Sequence, residues 1–251
     1  MPASFPASVK NFGVDRVNGD YIPASDTNDL RAEVVAVETA LLPMYSDYSS
    51  GGWSLDPNTW TYLSASTFTV PGDKTAIFTK GLRIRFKQGA GFKYGVVVSS
   101  AFTSVTTVTI VVNTDFTIAN TVITENGYSY LTDPRGWPGW FTYAPTFAGF
   151  SANPGGLISK YNIRGTTCYV VHVEQSPGTS NLTTFTVTLP VNAAEVTRFG
   201  LARVMDNSLA AALGQGALTV GSAVATLTKS TGAVWTNTGT KSVDFEMFYQ
   251  W

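Results

Sequence analysis

The feature that most limits what this chain can become is a two-residue alternation of apolar and polar side chains that returns along most of its length. Leu82, Ile84 and Phe86 interleave with Arg83, Arg85 and Lys87, and Val108, Ile110 and Val112 with Thr107, Thr109 and Val111. Phe185, Val187 and Leu189 alternate with Thr184, Thr186 and Thr188 in the same way. Val243, Phe245, Met247 and Tyr249 sit against Ser242, Asp244 and Glu246. Successive side chains of a strand point to opposite faces, so each run makes a half-buried strand. Residues 67–70, 94–99, 116–118, 158–163, 166–174 and 217–227 are further strand candidates. Turn sequences such as Val70-Pro71-Gly72-Asp73, Gly89-Ala90-Gly91 and Asn153-Pro154-Gly155-Gly156 punctuate them.

Composition supports that reading. Charged residues are 13% of the 251, about half the usual share. Thr, Ser, Asn and Gly take their place, which suits pleated surfaces and tight turns. With 44% hydrophobic and 13% aromatic residues, the chain has enough apolar material for one large core or two modest ones. A net charge of -1 gives no reason to expect nucleic acid or an anionic membrane as partner. Cys168 is the only cysteine, which excludes an intrachain disulfide and a cysteine-based metal knot. The first residues, Met-Pro-Ala-Ser-Phe-Pro, lack a basic n-region and an apolar h-region. No apolar run reaches 18 residues, so no membrane insertion is expected.

Four segments follow from these patterns. Residues 1–49 form an extended arm and one short helix. Ser25, Asp26 and Thr27 are N-cap candidates, and Leu30, Val34, Val37 and Leu41 recur at coiled-coil spacing before Pro43. So short a stripe needs covering, either by its own domain or by copies of itself. Residues 50–132 read as a small β-barrel or sandwich module, and 133–139, rich in Pro, Gly and Trp, as a linker. Residues 140–251 read as a jelly-roll-like β-sandwich, with a helix conceivable only at 208–213 ahead of Gly214. The fold class is therefore all-β with a short N-terminal helix.

A search for chemistry returns little. His172 is the only histidine, and on one strand it lies roughly 13 Å from Cys168, too far to share a metal. No catalytic or metal-binding residue is assigned, and no cofactor is expected. Nucleophile-elbow, zinc-protease and phosphate-loop patterns are absent. A paired-carboxylate polysaccharide depolymerase stays open as the alternative from another class, with Asp133, Glu174, Asp206, Asp244 and Glu246 among the acids. Arg83, Arg85 and Lys87 form a basic surface strand, either solubilising or suited to phosphate-bearing polymers. Trp235 lies in a turn-like stretch where a core aromatic is less expected, so Trp235, Asn237, Asp206 and Asn207 are the candidate ligand-binding set. Trp137 and Trp140 are expected to pack between domains or at an oligomer axis.

Three stretches carry a family resemblance. Residues 12–41, with Asp20, Ala24-Ser25-Asp26, Asn28, Leu30-Arg31-Ala32-Glu33 and Val37-Glu38, resemble the N-terminal segment of bacteriophage fibre-type structural proteins. Trp60-Thr61-Tyr62 through Phe68-Thr69-Val70-Pro71-Gly72-Asp73, then Lys80-Gly81-Leu82-Arg83-Ile84, resemble a small β-module of phage minor structural proteins. Trp140-Phe141-Thr142-Tyr143-Ala144-Pro145-Thr146, Tyr161-Asn162-Ile163-Arg164-Gly165 and Thr188-Leu189-Pro190 are similar to C-terminal domains of phage tail fibres. The resemblance implies a homotrimeric virion protein that joins other virion proteins through its N-terminal arm. It also implies contact with the host surface, glycan being the expected ligand, through its C-terminal domain. Within the same class, a head fibre or capsid decoration protein is the alternative.

Overall fold

The computed structural model describes residues 31–32, 34–37, 51–112, 114–207 and 212–251. The chain divides into two units, Met1–Ser54 and Leu55–Trp251. In the first, residues 31–32 and 34–37 are helical, with Val34 and Val37 exposed. Leu30 and Leu41, the ends of the expected seam, lie outside the described residues, as does the arm before them. No helix among the described residues is long and apolar enough to cross a membrane.

The second unit is all-β and built from two curled antiparallel sheets. The first contains β1 (Ser54–Leu55), β2 (Thr61–Ser64), β3 (Thr67–Pro71), β4 (Arg83–Gln88), β5 (Gly91–Phe102), β6 (Val105–Val112) and β7 (Thr124–Ser129). Their order is β1-β7-β4-β5-β6-β3-β2. The inward positions of these strands enclose an aromatic nest. Trp60 stacks on Phe68 at 4.2 Å, Phe78 meets both edge-on, and the Trp60 indole N–H donates to Asp56 at 2.7 Å.

The second sheet has eleven strands. They are β8 (Phe141–Thr142), β9 (Phe147–Ala148), β10 (Phe150–Ala152), β11 (Gly155–Arg164), β12 (Thr167–Ser176), β13 (Gly178–Ser180), β14 (Thr186–Thr188), β15 (Thr197–Asp206), β16 (Ala212–Leu218), β17 (Val224–Lys229) and β18 (Thr240–Gln250). The main path runs β8-β11-β12-β18-β15-β16-β17-β14-β9, with β13 bridging β10 to β18. Tyr161, Val170, Phe185, Val187, Leu227, Val243 and Phe245 fill its interior. The alternation in β14 and β18 falls on the buried face as the sequence predicts, and β12 forms where a strand is expected.

Three local expectations change. Residues 116–118 are not a strand: Thr114–Phe116 is a 3₁₀ turn that delivers the Phe116 ring between Tyr94 and Phe141. Residues 217–227 are two strands, β16 and β17, folded back at a turn that includes Gly221. The conceivable helix at 208–213 is replaced at its end by β16, and 208–211 lie outside the described residues. Gly214 is a site of close strand approach, not a helix cap, since a Cβ there would stand 2.3 Å from Val204 Cγ1.

The face of β4 and β5 that the sequence assigns to solvent is mostly covered. Val97 points into the first core, while Val96, Tyr94 and Val98 join the core of the second sheet. Arg83 pairs with Val96 across the ladder and is only 7% exposed. Its Nη2 donates to the Ile163 carbonyl at 3.3 Å, and the guanidinium lies 5.3 Å from the Trp137 ring centroid. Burial pushes Arg83 down from its ordinary value, with Asp133 opposing. Arg85 is half-buried against Phe92, and Lys87 reaches solvent and pairs with Glu125 at 2.7 Å. The expected basic surface strand is therefore a surface only at Lys87. The alternation shows two faces but not that a second sheet covers one of them.

Candidate functional site

The proposed set around Trp235 is brought together, but with its aromatic turned inward. Trp235 is 3% exposed, packs edge-on against Phe185 at 5.2 Å, and donates its indole N–H to Leu227. It cannot stack a ligand, because the flexible-looking loop around it lies over the core of the second sheet. Asp206 is buried under that loop, accepting from Lys229 at 2.7 Å and from the Thr236 hydroxyl at 2.7 Å. Burial alone would raise its carboxyl. The bonds from Lys229 and Thr236 outweigh that and hold it below the usual carboxylate value. Asn207 adopts φ 54°, a left-handed turn that asparagine tolerates, and donates its backbone N–H to Thr240. Asn237 is exposed on the same loop. These residues are a fastening of the loop to β15 and β18, with Asn207 and Asn237 the members exposed to water.

The acids and the histidine that bear on an enzyme are placed as follows. Ser159 Oγ lies 2.8 Å from His172 Nδ1, and His172 Nε2 lies 3.1 Å from Glu174 Oε1. A Ser–His–Glu chain of this kind can activate a hydroxyl. Here all three side chains are buried, His172 fully, with its ring between Phe147 and Phe245. Glu174 also accepts the Val243 backbone N–H, and burial raises its carboxyl against the pull of His172. A substrate cannot reach the Ser159 hydroxyl, so the chain serves as polar internal bracing. Asp244 pairs with Arg203 at 2.7 Å, and Glu246 accepts the Tyr169 hydroxyl at 2.7 Å. The described residues hold no cluster of three or more metal-ligating side chains.

The open aromatic surface lies elsewhere, on the outer face of β11, β12 and β18. Register places Asn162 beside Tyr169 and Tyr169 beside Phe248, all on this face. Phe248 is 69% exposed. One row along, Arg164, Thr167 and Gln250 stand in line. Trp140 completes the set from the segment before β8, 43% exposed and 5.5 Å from the Tyr169 ring. Gly139, Trp140, Asn162, Arg164, Thr167, Tyr169 and Phe248 line a shallow depression of about 490 Å³.

The route from sequence to that geometry can be followed residue by residue. Gly136, at φ 82°, allows a tight turn in which the Trp137 N–H donates to Pro134. The turn sends Trp137 inward against Phe141 at 5.2 Å and Tyr94 at 5.9 Å. With that ring as anchor, the next segment crosses the sheet edge, and the Asn162 amide donates to the Gly139 carbonyl. Trp140 is thereby held over Tyr169. Sequence reading expects both tryptophans to pack between domains or at an oligomer axis; within the chain Trp137 packs against both sheets, while Trp140 stays partly exposed. A second depression, about 550 Å³, lies between the two sheets near Lys80 and Trp251 and has neither an exposed aromatic row nor a carboxylate in its lining.

Compared with known proteins, the chain matches no family model, no curated protein and no solved structure.

Proposed function

We propose that this chain is a non-enzymatic structural subunit whose second sheet binds surface carbohydrate, in keeping with its resemblance to bacteriophage fibre-type appendage proteins. The observation that carries the glycan reading is the open row of Trp140, Tyr169 and Phe248 with the Asn162 and Gln250 amides and the Thr167 hydroxyl beside it. Aromatic faces cover the apolar C–H surface of a pyranose, and amides and hydroxyls meet its hydroxyl groups. The depression is shallow, and no acid in its lining faces a second acid across it, which favours binding over hydrolysis. Assembly as a homotrimer in a virion, joined to other virion proteins through the N-terminal arm, belongs to the same proposal. Three weak sites on one assembly would bind a cell surface far more tightly than one.

The deciding experiment has two parts. Light scattering on the full chain should give three times the monomer mass. Pull-down on isolated cell-surface polysaccharides should retain the full chain without releasing sugar, and Trp140→Ala should lose retention. Sustained sugar release would favour the depolymerase instead, and a monomer would remove the trimer from the reading.

A further inference from the structure

The aromatic row has a charge beside it, and that charge is unspent. Arg164 ends β11 on the exposed face, and its side chain makes no hydrogen bond or ion pair with any described residue. It lies close enough to the buried Arg83 for the two guanidiniums to repel, and Asp133 offsets that repulsion at Arg83. Lys160, exposed two positions beyond Asn162 on the same face of β11, adds a second cation with no hydrogen-bond or ion-pair partner among the described residues. Glu246, on the outer face of β18, accepts the Tyr169 hydroxyl at 2.7 Å. Register sets Arg164 one row from Asn162 and Tyr169, about 7 Å along the strand. One pyranose lying on Tyr169 and Phe248 would bring a ring substituent to that distance.

We infer that the depression between Trp140, Tyr169 and Phe248 selects an anionic pyranose, bearing a carboxylate or a phosphate, and that Arg164 is the residue that reads the anion. The inference rests on the carbohydrate reading above and adds the ligand class to it. A planar guanidinium can hold a carboxylate or phosphate through two parallel N–H bonds, and it remains charged at every physiological pH. Tyr169 contributes its ring, while its hydroxyl donates to Glu246. Asn162, bonded to Gly139, acts as a positioning residue for Trp140 and leaves its carbonyl oxygen to accept from a sugar hydroxyl.

The test is binding of the full chain to three matched sets of immobilised oligosaccharides: neutral, uronate-bearing and phosphate-bearing. The wild type should prefer one or both anionic sets over the neutral set by tenfold or more. Arg164→Gln should bring that ratio close to one, and Arg164→Lys should restore part of it, since a lysine keeps the charge but not the paired bonds. Lys87→Gln removes one charge at a distance and should leave the ratio unchanged. Trp140→Ala should weaken all sets together. Equal binding to neutral and anionic sets by the wild type, or a ratio that survives Arg164→Gln, overturns the anionic inference and leaves the carbohydrate reading standing. Absence of binding to every set overturns both. Uronate against phosphate preference identifies which anion the site takes.

Discussion

Trp235 and Trp140 should separate stability from binding, and their burial sets the size of the effect. Trp235 is all but sealed at 3% exposure, so truncation to Ala withdraws nearly its whole surface from the core. A buried tryptophan contributes about 200 Å², worth about 5 kcal/mol at about 25 cal/mol per Å². Large-to-small changes of aromatic core residues cost about 3–5 kcal/mol. Leu227 also loses the indole donor, which adds about 1 kcal/mol. We expect Trp235→Ala to cost about 4 kcal/mol and to lower Tm by about 10 °C, at about 2–4 °C per kcal/mol for a chain of this size. Trp140 is 43% exposed, so little more than half its surface is withdrawn from water, and water fills the space it leaves. On the same scale its truncation should cost at most about 3 kcal/mol, with no cavity cost added, yet abolish carbohydrate retention. Guanidinium melts with parallel binding assays report both quantities. If Trp235→Ala folds with wild-type stability and loses binding, Trp235 faces ligand and the placement of its loop is wrong.

Two further predictions concern buried titratable groups. Burial raises the Glu174 carboxyl, so the folded state favours its neutral form. Its contribution is then complete below the unfolded value near about 4.3 and is lost as pH rises through the higher folded value. Glu174→Gln cannot ionise, so its stability relative to wild type should improve from pH 4 towards pH 7 in urea melts. A difference that stays flat with pH would contradict that reasoning. The Cys168 thiol is pushed up to about 12 by burial, with the contact to Tyr249 opposing. It should resist a disulfide reagent at pH 8 in the native protein and react fully in denaturant. Fast reaction in the native state would mean that this part of the core opens.

How far the sequence carries the fold can be judged from single hairpins. The pair β11 and β12 turns on Gly165 and Thr166, with Arg164 opposite Thr167. Once that two-residue turn is recognised, counting outwards sets Asn162 against Tyr169 and Ser159 against His172. The platform row and the buried Ser–His pair were thus both legible from the turn, and a reading based on motif spacing along one strand passes over them. Trp235 illustrates the opposite limit. Gly, Thr and Asn around it signal a loop, and they do so correctly, but local chemistry does not tell whether a loop covers solvent or core. Arg83 is a third case. Its alternation with Ile84 and Phe86 is real, and only the long-range packing of β5 against the second sheet decides that its face is covered. Trp140 and Trp137 lie three residues apart in similar surroundings. The turn at Gly136 separates their fates.

The two ends of the second sheet divide the labour between rigidity and exposure. At one end, β12 and β18 present Tyr169, Thr167, Phe248 and Gln250 outward. At the other, the same strands and their neighbours hold the buried polar groups. His172 and Glu174 brace Ser159 and the Val243 backbone. Lys241, fully buried, donates to the Leu182 and Thr184 carbonyls and lies against Phe150 and Phe185. Asp206 ties the 235–237 loop to β15. A buried cation or carboxylate tolerates almost no displacement, because losing a partner leaves a desolvated charge. Such groups resist a two-residue slip, which keeps every side chain on its own face and which hydrophobic packing therefore opposes less than a one-residue slip. From Tyr169 to Glu174 the strand runs about 17 Å, so the bracing is separate from the ligand surface and shares its strands. Register fixed at the polar end is transmitted along two continuous strands to the aromatic row. The spacing of Tyr169, Phe248 and Arg164 then depends on strand pairing and not on any loop. A rigid, pre-formed face loses little entropy on binding, which is what a shallow site with few contacts requires.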